Sequence, residues 1–329
     1  LVLVLAACER EAPSTAPTQA AVPEVTTGPL AIAAPDLFAE GLAWDPIGER
    51  ILIGGIVGQA IVASTRDGKS VQRFAAPSRG WSVFGLAVDR DRELVWAACA
   101  AVPQGRTLPE DVGRAGVFAF ALKDGAQVHE RLTPEGDGAQ HLFGDLTLLA
   151  DGRVIVTDTL GGGVLSTSAD TDTLAVVVES GTFKSPQGVV AIDARTLVVA
   201  DYSAGLVRVQ LDEAGVATAA AVIPPPAGED LRGIDGLAHE GHVLAAVQNG
   251  AMPHRILRVE LAPALDAVTR VEVLQSIAPP AGEPTLATVV GDAVWVMQTD
   301  RWDRVFAQDG RPRDGVELAT PTILRFAFE

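Results

Sequence analysis

Short apolar runs separated by polar turns recur along this chain as one phrase repeated six times. Its opening element reads GLAWD (41–45), GLAVD (85–89), DLTLL (145–149), GVVAI (188–192), GLAHE (236–240) and TLATV (285–289). A second run follows at 51–53, 94–96, 154–156, 197–199, 243–245 and 294–296. The third alternates apolar and polar positions, as in QAIVAS (59–64), GVFAFAL (116–122), GVLSTS (163–168), GLVRVQL (205–211), RILRVEL (255–261) and TILRFAF (322–328). That period of two is the signature of a half-buried strand. Turn residues follow in RDGK, KDGA, ADTD and DEAG, where Asp and Gly supply local hydrogen bonds and positive φ. A fourth run closes five of the phrases: SVQRFAAP, AQVHERLTP, TLAVVVES, VATAAAVIP and RVEVLQSIAP. Four strands in a phrase of roughly four to five dozen residues predict an all-β fold, a six-bladed propeller of four-stranded antiparallel blades.

The sixth phrase stops at its third strand. GPLAIAAP (28–35) has the composition and proline ending of the fourth strands, so the N-terminal strand is expected to complete the last blade. Such closure removes a sheet edge that would otherwise template aggregation. The propeller then occupies 28–329 as one domain, since blade-on-blade packing lets a 329-residue chain share one ring.

Ahead of it, LVLVLAAC (1–8) resembles the lipobox of bacterial lipoproteins, in which the cysteine is lipidated after signal cleavage. Residues 1–7 then read as a signal-peptide remnant, lacking the basic region and initiating Met that precede such a signal. Residues 8–27 read as lipidated Cys8 and a disordered Pro/Ala/Thr tether. The resemblance implies a periplasmic protein held to the membrane only through Cys8. Glu9, in place of the Asp that retains lipoproteins at the inner membrane, favours the outer membrane.

The net charge of −17, with no long basic run, argues against nucleic acid as a partner, because phosphate binding needs clustered Lys and Arg. Lipidation of Cys8 would leave Cys99 as the remaining cysteine, in the apolar run LVWAACA, where a buried inert thiol is expected.

Pseudo-symmetry turns repeat position into geometry. The residues just before each opening element, Glu40, Phe84, Gly144, Gln187, Asp235 and Pro284, are expected to ring one mouth of the central channel. Antiparallel pairing returns the second-strand ends to that mouth, adding Asp158, Asp201, Asn249 and Gln298. Oxygen donors in this number suit a hard divalent cation.

EGLAWD, FGDLTLLADGRVIVTD, SPQGVVAIDARTLVVADYSAGLVRVQLD and DGLAHEGHVLAAVQNG together resemble the gluconolactonase and regucalcin family of six-bladed propellers. Strictosidine-synthase-like and paraoxonase-like propellers share the layout. The resemblance implies one channel cation, calcium first with zinc, magnesium or manganese as alternatives, held by Glu40, Gln187 and Asp235. It also implies hydrolysis of a lactone or ester, with Asp235 as ligand and catalytic group. Phe84, Trp81 and Leu142 would form the apolar rim, and Phe84, His141, Asp145, Asp201 and Asn249 would face substrate.

This chain departs from the family at three of these places. Gln187 replaces an Asn, Gly144 replaces the Asn of an FND motif, and Leu142 stands where animal members carry Arg. Among other motifs, His239-Glu240-Gly241-His242 lacks helical zinc-site spacing and reads as a solvated turn. Gly161-Gly162-Gly163 leads into a strand, which excludes a phosphate loop at a helix start. Two functions remain: a cation-dependent lactone or ester hydrolase, and a non-catalytic propeller binding a ligand or protein partner at the cell envelope.

Overall fold

A computed structural model describes residues 28–34, 36–136 and 138–328. The signal remnant, Cys8 and the tether lie outside these residues. Strand β1 (Leu30–Ala31) precedes blade one, which is β2 (Ala39–Asp45), β3 (Arg50–Gly55), β4 (Ala60–Thr65) and β5 (Val71–Ala75). Blade two is β6 (Ser82–Asp89), β7 (Leu94–Ala100), β8 (Ala115–Ala121) and β9 (Gln127–Leu132). Blade three is β10 (Phe143–Leu148), β11 (Val154–Asp158), β12 (Gly163–Thr167) and β13 (Ala175–Val178). Blade four is β14 (Pro186–Asp193), β15 (Thr196–Asp201), β16 (Gly205–Leu211) and β17 (Ala217–Val222). Blade five is β18 (Gly236–Glu240), β19 (Val243–Gln248), β20 (His254–Leu261) and β21 (Val268–Ile277). Blade six is β22 (Glu283–Val290), β23 (Ala293–Thr299) and β24 (Thr322–Ala327), with β1 as its fourth strand.

The expected all-β, six-bladed ring is therefore the fold, and the N-terminal strand does join the last sheet. Its ladder is shorter than the 28–35 pattern suggests. Only Leu30 and Ala31 pair in register, with Ile323 and Thr322. Flanking bonds extend the clasp, from Gly28 N to Arg325 O and from Ile32 N to Pro321 O. Ile32 is fully buried and packs in a cluster with Leu42, Ile51, Trp295 and Ile323, which span blades one and six. The remaining core clusters likewise fill the space between neighbouring blades, Cys99 being buried in the one between blades one and two. Burial pushes its thiol pKa well up, as an inert cysteine requires.

Inner strands meet around the axis, and glycine sets how closely. An added Cβ at Gly41 would fall 2.0 Å from Phe84 O, at Gly85 2.7 Å from Asp145 Cα, at Gly188 2.6 Å from Asp235 O, and at Gly236 2.4 Å from Thr285 O. Each glycine thus lets the next blade's backbone approach where a side chain has no room. In the register set by the second strands, the same place in blades three and six is held by Asp145 and Leu286. This corrects the repeat alignment of blade six by one residue: Leu286, not Thr285, matches the inner glycine. Glu40 corresponds to Thr285 rather than Pro284, because both lie two residues before the first pair beyond the strand's bulge, Leu42–Ile53 and Ala287–Val296. Thr285 is fully buried and donates its hydroxyl to Glu40 O at 2.8 Å, tying blade six to blade one.

The longest excursion among the described residues lies between β23 and β24, and contains α1 (Trp302–Val305). Phe38, ahead of β2, meets Trp302 and Phe306 edge-on at centroid distances of 5.2 and 4.8 Å, which seats the excursion over the ring. Among the described residues no helix is long and apolar enough to cross a membrane.

Candidate functional site: the acidic channel

A cavity of about 280 Å³ opens at one end of the channel. Into it the ring brings Glu40 from blade one, Phe84 from blade two, Gly144 and Asp145 from blade three, Gln187 from blade four, Asp235 and Asn249 from blade five. Most of the expected ring is thus assembled. Pro284 is not in the lining; Glu283 beside it is, along with Leu286. The lining also includes Leu142, Thr159, Tyr202 and Trp302.

Four carboxylates therefore converge from blades one, three, five and six, and their proton affinities reflect it. Glu40 is 7% exposed, and its Oε2 is buried with no hydrogen-bond partner. Desolvation, then the nearby charges of Asp235, Glu283 and Asp145, holds its pKa well above the ordinary carboxylate value. Burial raises Asp145 to about 8, although Leu146 N donates to its Oδ1 at 2.8 Å. Asp235 is pushed up to about 7 by burial, partly offset by the hydrogen bond from Asn249. Glu283 is also raised, chiefly by desolvation, while Trp302 N donates to its Oε2 at 3.3 Å.

Amide side chains orient this cluster. Asn249 Nδ2 donates to Asp235 Oδ2 at 2.6 Å and to Pro284 O at 3.2 Å, while its Oδ1 accepts the Tyr202 hydroxyl at 3.0 Å. Burial and the charges of Asp235 and Glu283 raise that phenol to about 12. Gln187 Nε2 donates to Ser185 Oγ at 3.0 Å, leaving its carbonyl oxygen near Thr159 Oγ1 at 3.4 Å. A Cβ at Gly144 would lie 3.5 Å from that carbonyl oxygen, so the glycine keeps space open beside the longer Gln187 amide.

Other expected residues serve the scaffold. Asp158 accepts from Leu142 N, Gly161 N and, at 2.5 Å, is paired with His141 Nδ1. Asp201 accepts from Lys184 N and from the amide and hydroxyl of Ser203. Gln298 donates to Gly282 O. These groups hold loops at the channel end, and none of them, nor His141, is in the cavity lining. The expected rim contains Phe84 and Leu142 but not Trp81. That indole is fully buried between blades one and two and lies 3.3 Å from Asp111 Oδ2 through Nε1. The residues that sequence reasoning missed are Glu283, Tyr202 and Trp302. Glu283 stands two residues ahead of the ring position, where blade one carries Phe38, and Trp302 lies on the longest connection between second and third strands.

Asp145 and Leu286 line a second cavity as well, about 350 Å³ at the opposite end of the channel. Standing in blades three and six, they form its waist. The far mouth is mostly apolar, with Trp44, Val88, Leu146 and Leu237, and His239 and Arg90 at its edge. His239 and Glu240 end β18, and Gly241-His242 turn into β19, as the motif's turn reading expects. A larger cavity of about 1470 Å³ lies under the β23–β24 excursion, where Arg106, Arg311 and Arg313 alternate with Asp309, Asp314 and Glu317. It has no comparable convergence of buried charge.

Glu40 Oε2 is an orphaned buried acceptor, and Asp235 and the Gln187 carbonyl add hard oxygens from other blades, which fits a divalent ion. The fit is open rather than caged: among the described residues no three His, Cys, Asp or Glu side chains are grouped closely enough to hold a metal by themselves.

No protein-family model matches the chain, and no curated protein does. Solved structures match over most of its length at low identity. A gluconolactonase from Xanthomonas campestris is 12% identical, with 91% of this chain and 89% of that one covered at a TM-score of 0.59. A calcium-binding regucalcin from Agrobacterium tumefaciens is 14% identical, with coverage of 91% and 93% and a TM-score of 0.61. The major Malassezia sympodialis allergen Mala s 1 is 11% identical, with coverage of 90% and 95% and a TM-score of 0.65. At these identities the likeness establishes a shared propeller fold.

Proposed function

We propose that this chain is a divalent-cation-dependent hydrolase of lactones or related esters, with Glu40, Gln187 and Asp235 holding the cation. The observation that carries the reading is Glu40 Oε2, an unpartnered acceptor buried in a ring of carboxylates. Burying several acidic groups together is unfavourable unless a positive charge or protons compensate them. The fold shared with a gluconolactonase and a calcium-binding regucalcin adds support.

When bound, a calcium-like ion supplies Lewis-acid polarisation of the scissile carbonyl. The chain supplies the rest. Asp235, buried in the channel with one oxygen fixed by Asn249, is placed to orient an attacking water or take its proton. Phe84, Leu142, Leu286 and Trp302 exclude bulk water and set the shape of a small substrate.

Hydrolysis of γ-butyrolactone and glucono-δ-lactone, followed by proton release, tests the reading. Activity is expected in wild type with calcium and in Asp292→Ala, which alters an exposed turn, and is expected to vanish with chelator or in Asp235→Ala. Activity that is indifferent to chelator and to Asp235 would remove both the ion and its ligand from the account. A non-catalytic propeller is the second reading, favoured by the absence of a closed cage among the described acidic and His side chains.

The LAAC start and the tether support lipidation at Cys8 and a periplasmic, outer-membrane location. With a complete signal region restored, Cys8→Ser should release the protein from the membrane fraction. Retention of the mutant there would rule out this anchor.

A further inference from the structure

Charge at the channel does not close with one divalent ion. The lining contains Glu40, Asp145, Asp235 and Glu283, and no Lys, Arg or His. Two ligand carboxylates, Glu40 and Asp235, balance a divalent cation. Asp145 and Glu283 are left over. Asp145 stands at the waist, where it lines both cavities, and Glu283 stands at the mouth. Its position is mostly buried, and its recorded hydrogen bond is from Trp302 N. His254 and Arg301 act on it through space, but neither lines the cavity, and Arg301 is paired with Asp303.

Aromatic groups share this lining. Trp302 from α1 is tied to Glu283 through its backbone N–H at 3.3 Å, and Tyr202 from blade four and Phe84 from blade two line the same cavity. A carboxylate beside aromatic rings is the chemistry that binds an organic ammonium group, by Coulomb attraction and by the negative ring faces together. An anionic ligand would instead meet four acidic groups without one basic partner in the lining.

We infer that the channel mouth selects ligands bearing a positively charged amine or quaternary ammonium group, with Glu283, Trp302 and Tyr202 forming its seat. The inference takes the channel as the binding site, as the proposed hydrolase does, and adds the substrate class: small cationic esters or lactones over anionic ones. Glu283 and Trp302 set specificity here, while the ion ligands are other residues. A cavity of about 280 Å³ admits a group of this kind with a short acyl chain, and little more.

Calorimetry on the full calcium-loaded chain tests the inference with two probes of nearly equal shape, choline and its uncharged isostere 3,3-dimethylbutan-1-ol. Choline is expected to bind roughly tenfold or more tightly than the alcohol, consistent with a desolvated cation–aromatic contact plus a carboxylate. Glu283→Gln should abolish that preference while leaving the affinity for the alcohol unchanged and a saturable calcium heat in place. Trp302→Leu should reduce the preference without abolishing it. Equal binding of the two probes, binding of neither, or a preference that survives Glu283→Gln would overturn the inference. A choline preference that persists where calcium gives no heat would sink the cation-dependent hydrolase and leave the ammonium seat standing.

Discussion

Asp145 is one of two residues at which the ring breaks its own rule, Leu286 being the other. Four inner positions are glycine because the next blade's backbone leaves no room, yet blade three carries an aspartate there and turns it into the channel. With a folded pKa near 8 against about 3.9 unfolded, the folded state binds its proton more tightly than the unfolded chain. Its contribution to stability is therefore complete below pH 4 and is lost as pH rises towards 8, by about 1.4 kcal/mol per unit. Asp235 adds the same sign over a window ending near 7. Asp145→Asn keeps an acceptor for Leu146 N and removes the titration. In chelator-treated protein this variant should gain thermal stability over wild type at pH 8 and gain little at pH 5. An equal shift at both pH values would mean that the Asp145 charge is not what the fold opposes. At this scale the sequence was legible where a site residue occupied a repeated position, as Glu40, Gln187 and Asp235 do. It was not legible at Glu283, which stands two residues ahead of the ring position, where blade one carries Phe38.

Strands were easier to read than sites, because alternation follows from a sheet with differently buried faces. Every run recognised by its pattern overlaps a strand, including β24, whose alternating TILRFA resembles the other third strands. The clasp strand β1 was foreseen, but its length was not: a proline-ended run of eight contributes two paired residues and then one buried side chain, Ile32. Packing of Ile32 thus joins the short ladder and its flanking bonds in closing the ring. A chain beginning at Asp36 should melt below one beginning at Gly28, since it loses the β1 pair, exposes the β24 edge and leaves Ile323 and Leu42 without Ile32. Ile32→Ala alone should destabilise by about 2 kcal/mol or more. Equal melting temperatures for the two chain lengths, with both soluble, would show that β1 adds nothing to the ring. The β23–β24 excursion escaped pattern reading altogether. Its length has no equal in the other blades, and Trp302 is held at the channel by Phe38, Phe306 and the bond from its N–H to Glu283.

At the scale of the molecule, the channel exists only when the ring is shut. Glu40 and Glu283 lie at opposite ends of the chain, and Thr285 joins their blades directly through the Glu40 carbonyl. Closing the ring gathers Glu40, Gln187 and Asp235 from three blades, so an ion held by them would bind the folded state and stabilise it. The proposed hydrolysis rests on that one coupling. The most direct test is isothermal calorimetry of chelator-treated protein titrated with calcium, paired with its melting temperature. Wild type and Asp292→Ala should give a saturable binding heat and a higher melting temperature, and Asp235→Ala should give neither. No heat from calcium, magnesium, manganese or zinc in the wild type would contradict the account and leave a propeller whose acidic channel is occupied by protons and water.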